Sequence, residues 1–323
     1  MLAKRVAVLR GGPSEEYGVS MTTGAGVLDA LKDTDFYTKD VVISKSGDWM
    51  VEGYKRLPAD VLQSVDVVFV ALHGAYGEDG TVQRLLDRFA VPYTGSQAHP
   101  SAMAMNKLLT KAELKGKGIK MAEHMRVTKE SGDLQRVAYS ISTMFGPDYF
   151  IKPINGGSSI DVLLASGVTE LSMKLTEIMK TRDEALVERR IVGREATVGV
   201  LENFRSKDMY TLPVVEIVPP VESDFFDYQN KYDGTTKEIC PGQFNREEKD
   251  LLENAAATVH KTLGLRQYSR SDFIVAKDGV YFLEVNTLPG LTEESLFPKA
   301  IDAVGCSYKD FITYLLTDAL ERC

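Results

Sequence analysis

The chain has 323 residues, 44% of them hydrophobic and 26% charged, with a formal net charge of −8. This is the composition of an ordinary soluble globular protein of two or three packed units. The acidic balance argues against duplex nucleic acid and anionic membrane surfaces as partners, so a polyanionic ligand would need a local cluster of Lys and Arg. The three cysteines, Cys240, Cys306 and Cys323, are odd in number and include no Cys-x-x-Cys pair. That points to a reducing, cytoplasmic compartment rather than a disulfide framework. The apolar run 6–9 is too short for a signal-peptide core, and no stretch approaches the ~20 apolar residues of a spanning helix.

In chain order, residues 5–9 read as a buried strand closed by Gly11-Gly12, and a helix follows over 19–31. VDVVFVAL (65–72) is the clearest strand of the first third; it runs into HGAYGEDG and a helix over 81–89. Strands alternating with helices predict a parallel, doubly wound sheet, with ligands at the carboxyl ends of its strands. Turn residues over 92–100 mark a boundary, and one helix is expected over 101–115. A strand over 149–152 ends in PINGGSS, with a helix over 171–180 and strands over 185–188 and 196–201. Residues 220–245 show little periodicity and read as one long loop. The chain closes with a helix over 246–263, strands over 271–275 and 280–285 about an Asp278-Gly279 turn, and a helical tail from 298.

Asp272, Glu284 and Asn286 fall on that hairpin. Alternation puts Glu284 and Asn286 on one face, and Asp272 can meet them from the neighbouring strand. Their oxygen ligands suit Mg²⁺. Charge pattern alone fits a solvated surface, but YFLEVN is strongly apolar, so these side chains must face something that satisfies them. Lys152 ends an apolar strand ahead of Gly156, Gly157, Ser158 and Ser159, where backbone N–H groups can approach a phosphate. No Gly-Lys-Ser/Thr follows, so this is not a Walker loop. Glu188 and Glu195 are carboxylate acceptors of the kind a purine amino group and a ribose want. Alone they read equally as surface charge, as does Lys107. Glu15 and Glu16 near a helix start fit dipole capping, and a lone loop His73 fits a structural role. A dinucleotide fingerprint is absent from GGPSEEYGVS.

Taken in order, LRGGPSEEYGVS, ALHGAYGEDGTVQ, YTGSQAHPSAMAMNK, IKPINGGSSI, VERRIVGRE, FFDYQNKY and SRSDFIVAKDGVYFLEVNTLPGLTEESL resemble the D-alanine–D-alanine ligase family of the ATP-grasp superfamily, over nearly the whole chain. The resemblance implies an α/β and α+β ATP-grasp fold with an N-terminal Rossmann-like parallel-sheet domain. Its expected units are a substrate domain over 1–104, a central subdomain over 105–187 and a C-terminal subdomain over 188–323 with the metal and substrate sites. It implies that Lys107 and Lys152 hold the nucleotide and its phosphates, Glu188 the adenine side and Glu195 the ribose. Lys231, in a loop that closes, would meet the γ-phosphate. Asp272, Glu284 and Asn286 would hold a pair of Mg²⁺ ions, with Mn²⁺ an alternative, Glu284 bridging. Glu16 would bind the first D-alanine's ammonium with His73 beside it, and Ser158 and Tyr232 would be hydrogen-bonded with Glu16. Arg270 and the Gly290 backbone would stabilise the oxyanion, while Ser295 and the Leu296 backbone would take the second D-alanine's carboxylate.

The implied activity joins two D-alanines through a D-alanyl phosphate for peptidoglycan precursors, forming ADP and phosphate, in a homodimer. Three positions depart from the family pattern: Gly18 in place of an acid, Asp161 in place of Gly, and Arg189 in place of Lys. Asp161 is expected to point to solvent. Other readings are a D-alanine–D-lactate enzyme, against which Tyr232 speaks, a non-catalytic ATP-binding regulator, and more distantly a nicotinamide dehydrogenase.

Overall fold

The fold is taken from a computed structural model that describes residues 4–157, 161–219 and 236–322. In the first sheet β1 (Lys4–Gly11), β2 (Phe36–Ile43), β3 (Trp49–Val51), β4 (Tyr54–Arg56) and β5 (Val67–Val70) lie in the order β4-β3-β2-β1-β5. β1 is parallel to both β2 and β5. A parallel strand covered on both faces must be apolar throughout, and Val6, Ala7, Val8 and Leu9 are all fully buried. α1 (Tyr17–Ala30), α2 (Pro58–Leu62) and α3 (Thr81–Arg88) complete this region. At the end of β1, Gly11 has φ +89°, and a Cβ there would stand 2.4 Å from the Ile43 carbonyl oxygen. Only glycine lets the chain turn this close to β2.

The helix expected over 101–115 is two helices, α4 (Ala98–Met105) and α5 (Lys107–Leu114). Asn106 between them is extended and makes a β-bridge to Asn155, while its side chain caps α5 by accepting from the Leu108 and Leu109 N–H groups at 3.1 and 3.0 Å. The break is imposed by a partner distant in sequence, which helical periodicity cannot register.

After β6 (Lys120–Met121), a four-stranded antiparallel sheet is formed by β7 (His124–Thr128), β8 (Asp148–Lys152), β9 (Leu163–Ser166) and β10 (Glu184–Arg189), in the order β7-β10-β8-β9. α6 (Leu134–Met144) and α7 (Gly167–Ile178) close its core around Ile141, Tyr149, Ile151, Leu171 and Leu175.

The third sheet contains β11 (Arg194–Phe204), β12 (Lys207–Thr211), β13 (Val215–Val218), β14 (Lys237–Ile239), β15 (Tyr268–Ala276) and β16 (Gly279–Asn286), and β6 joins it alongside β16. β14 corrects the single loop expected over 220–245: residues 237–239 pair antiparallel with β13. α8 (Arg246–Thr262) starts with an Asn245/Glu248 capping box and buries its own Leu252, Ala256 and Val259.

The tail is α9 (Leu296–Asp302) and α10 (Tyr308–Glu321), starting earlier than expected and broken once. α10 returns to the first sheet, where Phe311, Ile312, Leu315 and Leu316 join the Val6–Leu9 core. Each such side chain contributes about 1.5–3 kcal/mol by burial. A polar seam lies beside it. Gln267 accepts from Gly95 N–H at 2.7 Å and donates to Leu315 O and Asp318, and Arg266 donates to the Gly95 and Tyr93 carbonyls at 2.9 and 2.7 Å. Among the described residues no helix is long and apolar enough to cross a membrane.

Candidate active site

Two clefts adjoin, and Arg270 and Leu296 line both. The larger, with about 180 Å³ of space, lies between the four-stranded and the third sheets and is walled by Lys107, Lys152, Glu188, Glu195, Asp272 and Glu284. The smaller, about 120 Å³, is lined by Glu16, His73, Glu78, Gly290 and Ser295.

The carboxylates of the larger cleft are set by strand register. Asp272 on β15 pairs with Glu284 on β16, and Arg270 pairs with Asn286 two residues away, with a bulge after Asp272. Arg270 donates Nε and Nη2 to the two Asp272 oxygens at 3.0 Å each, Thr197 donates its hydroxyl to Asp272 Oδ1 at 2.6 Å, and Asn286 Nδ2 reaches Oδ2 at 3.2 Å. The three oxygen-bearing side chains are thus brought together. Among the described residues no cluster of three His, Cys, Asp or Glu side chains forms a metal site by itself. The donor set here is two carboxylates and an amide, which suits a hard cation.

Lys107 opens α5, its Nζ 3.4 Å from Glu284 Oε2, and donates to the Gly156 carbonyl at 2.6 Å. Lys152 ends β8, with Nζ 2.7 Å from Glu188 Oε2. Lys111, which sequence reasoning missed, approaches Glu188 Oε1 at 2.7 Å from α5. Burial opposes the Glu188 charge, but Lys152 and Lys111 outweigh it and hold the carboxyl well below the usual range. Burial likewise opposes the charge on Lys152, and Glu188 carries its pKa above the ordinary lysine value. Gly156 and Gly157 line the cleft, whereas Ser158, Lys231 and Tyr232 lie outside the described residues. Of the three departures from the family pattern, Gly18 and Asp161 are exposed. The Asp161 carboxylate is met by Arg182 at 2.6 Å, so its charge is paired outside the cleft. Arg189 binds Glu123 at 2.6 Å.

In the smaller cleft, Glu16 occupies the N-cap position of α1 but makes no side-chain cap hydrogen bond. A Cβ added to Gly74 would meet Glu16 Oε2 at 2.6 Å. Glu16 is therefore packed against the His73-Gly74 turn, and capping does not explain it. His73 Nδ1 lies 3.0 Å from the Leu288 carbonyl and Nε2 2.8 Å from Thr23 Oγ1. A carbonyl only accepts, so Nδ1 carries the proton and Nε2 accepts from Thr23. Burial lowers the imidazole pKa, with Glu16 pulling the other way.

Glu78 also escaped the sequence reading, although it lies in the quoted HGAYGEDG segment. Its carboxylate accepts from Gly74 N–H at 2.8 Å and Leu288 N–H at 3.0 Å, and burial together with Glu16 pushes its pKa up to about 8. His73 and Glu78 thus tie the first sheet's loop to the backbone after β16. Ser295 Oγ accepts from Thr292 N–H at 3.2 Å and lies 2.8 Å from Thr292 Oγ1; a Cβ on Gly290 would come within 2.8 Å of the same oxygen. Geometry of this kind can seat two small zwitterions beside a polyanion.

The chain as a whole is similar in sequence and fold to known proteins. A family model described as the D-ala D-ala ligase C-terminus matches residues 114–317, and one described as the D-ala D-ala ligase N-terminus matches residues 52–96. A D-alanine–D-alanine ligase of Syntrophotalea carbinolica is 37% identical over 322 residues, covering 99% of this chain and 97% of its own. One from an Anaeromyxobacter species is 39% identical over 318 residues, covering 98% and 97%. Among solved structures, the D-alanyl-alanine synthetase A of Vibrio cholerae shares the fold with a TM-score of 0.89 at 24% identity over 100% of both chains. The VanG D-Ala:D-Ser ligase of Enterococcus faecalis has a TM-score of 0.83 at 27% identity, over 98% of this chain and 99% of its own.

Proposed function

The chain belongs to the D-alanine–D-alanine ligase family, and from that premise we propose how its residues divide the ATP-dependent joining of two D-alanines into a peptidoglycan precursor. The observation that carries the reading is the juncture at Arg270. There a cleft of lysines and paired carboxylates meets a pocket holding Glu16, His73, Gly290 and Ser295.

ATP occupies the larger cleft, its adenine toward Glu188 and ribose toward Glu195, its phosphates met by Lys107 and Lys152. Asp272, Glu284 and Asn286 fit divalent magnesium, with manganese as a substitute, because all three offer oxygen, Asp272 and Glu284 line the cleft and Asn286 lies against Asp272. When bound, such ions neutralise phosphate charge during transfer. The first D-alanine places its ammonium against Glu16, beside His73. Its carboxylate attacks the γ-phosphorus, so that ADP departs and an acyl phosphate forms. The neutral amine of the second D-alanine, held through its carboxylate by Ser295 and the Leu296 N–H, then attacks the acyl carbon. Arg270 and the Gly290 N–H stabilise the tetrahedral oxyanion, an effect typically worth about 2.7–4 kcal/mol per donor. Phosphate is the second leaving group. By resemblance, Lys231 would assist at the γ-phosphate, and Ser158 and Tyr232 would form with Glu16 a hydrogen-bonded set that links the first domain to a loop whose closure excludes water.

We further propose a cytoplasmic homodimer and keep 104 and 187 as the working limits of its three units. The test is ADP release measured with D-alanine, L-alanine and D-lactate in turn. D-alanine alone should give rapid release with dipeptide as product. Equal release with L-alanine, or release independent of any amino acid, would remove the assignment.

A further inference from the structure

Three cations that line the larger cleft rest on its carboxylates in this structure: Lys107 near Glu284 at 3.4 Å, Lys152 on Glu188 at 2.7 Å, and Arg270 on Asp272 at 3.0 Å. Glu284 and Asp272 belong to the set proposed to hold divalent cations, which can replace the lost positive charge when a basic side chain turns to the substrate. Glu188 stands apart from that set. It is 4% exposed, so its charge must be compensated from within the protein. If Lys152 turned to a phosphate with nothing in its place, a buried carboxylate would be left unpaired, which is strongly unfavourable.

Lys111 answers that problem. It lies one turn beyond Lys107 on α5, is 3% exposed and lines neither cleft. Its Nζ reaches the Glu188 oxygen that Lys152 leaves open, at 2.7 Å. At that distance the contact is a close, buried ion pair. Glu188 therefore carries two cations in the resting state, one able to reach the cleft and one confined behind it.

We propose that Lys111 is a positioning residue for nucleotide binding, a fixed counter-charge that keeps Glu188 ionised and oriented while Lys152 swings to the triphosphate. This rests on the nucleotide roles proposed above for Lys152 and Glu188. A purely structural ion pair would support the fold but would not couple to ATP. The pair exchange does couple, because the cost of releasing Lys152 depends on what remains beside Glu188.

The test is ATP binding to the full-length protein, measured by displacement of a fluorescent nucleotide, for Lys111→Met, Glu188→Gln and the double variant, with steady-state kinetics alongside. Lys111→Met should weaken ATP binding by at least about tenfold, equivalent to about 1.4 kcal/mol. The same change made on top of Glu188→Gln should alter affinity by less than about twofold. KM for ATP should rise far more than kcat falls, and Lys111→Arg should restore most of the affinity. Wild-type affinity in Lys111→Met, or an equal loss in both backgrounds, overturns the proposal. Should Lys111→Met fail to fold, comparing the double variant with Glu188→Gln decides the matter, because a difference above about threefold overturns it. Unchanged ATP affinity in Lys152→Met would instead remove the nucleotide reading of the cleft, and this proposal with it.

Discussion

Asp272→Asn removes one charge while nearly preserving shape, and the structure gives its cost in the resting protein. Arg270 holds both Asp272 oxygens at 3.0 Å, and each side chain is only 16% exposed. An amide keeps one acceptor and turns an NH₂ against the guanidinium. Removing one partner of a buried pair costs about 3–5 kcal/mol. The acceptor that survives and the residual exposure bring the expected loss to about 2–3 kcal/mol. Glu284→Gln is the control. Its pair with Lys107 is the longer one, at 3.4 Å, and Lys107 keeps its bond to the Gly156 carbonyl, so the loss should be the smaller of the two. Urea unfolding without nucleotide or metal should therefore shift its midpoint down further for Asp272→Asn than for Glu284→Gln, with similar slopes. Both variants should lose ADP release. Equal stability of the two, or normal turnover with normal magnesium dependence in either, would refute the reasoning.

Three other outcomes follow from the same geometry. Gly290→Ala puts a methyl group 2.8 Å from Ser295 Oγ, so the KM for the second D-alanine should rise severalfold while the melting temperature hardly moves. Asn106→Ala removes the cap on two α5 N–H groups and should cost about 1 kcal/mol in denaturant unfolding; ATP affinity should fall with it, because Lys107 is the next residue. Glu202→Gln bears on acid stability. Burial opposes the Glu202 charge, but His260, Gln267 and Arg322 prevail and lower its pKa to about 2 from an ordinary 4.5. A carboxylate shifted downward stabilises the fold above its unfolded value and loses that contribution as pH falls toward the folded value. Between pH 4.5 and about 2 the wild-type protein should lose stability more steeply than Glu202→Gln, as read by unfolding free energy against pH.

Much of the site was legible because its chemistry is carried by strand ends and a short hairpin. The period-two pattern of YFLEVN puts Glu284 and Asn286 on one face, but Asp272 stands opposite Glu284 only because a bulge between Asp272 and Phe273 shifts the register set at the Asp278-Gly279 turn, and the sequence carries no sign of that bulge. Glu78, Lys111 and Thr197 were missed for a common reason. Each matters through a partner far along the chain: the Leu288 N–H, Glu188 and Asp272 respectively. The same holds for the break at Asn106, which answers to Asn155. Strands β2 and β9 escaped notice because their burial is partial and mixed, without clean alternation. Glu16 illustrates the opposite error: position near a helix start fits capping, yet its side chain makes no cap bond.

The most direct test of the central claim is a crystal structure of the protein with magnesium and a non-hydrolysable ATP analogue. The account predicts cations at about 2.0–2.1 Å from oxygens of Asp272 and Glu284, with Asn286 beside them and Lys152 moved from Glu188 onto phosphate. A nucleotide bound outside this cleft, or metal ions held without Asp272 and Glu284, would contradict it.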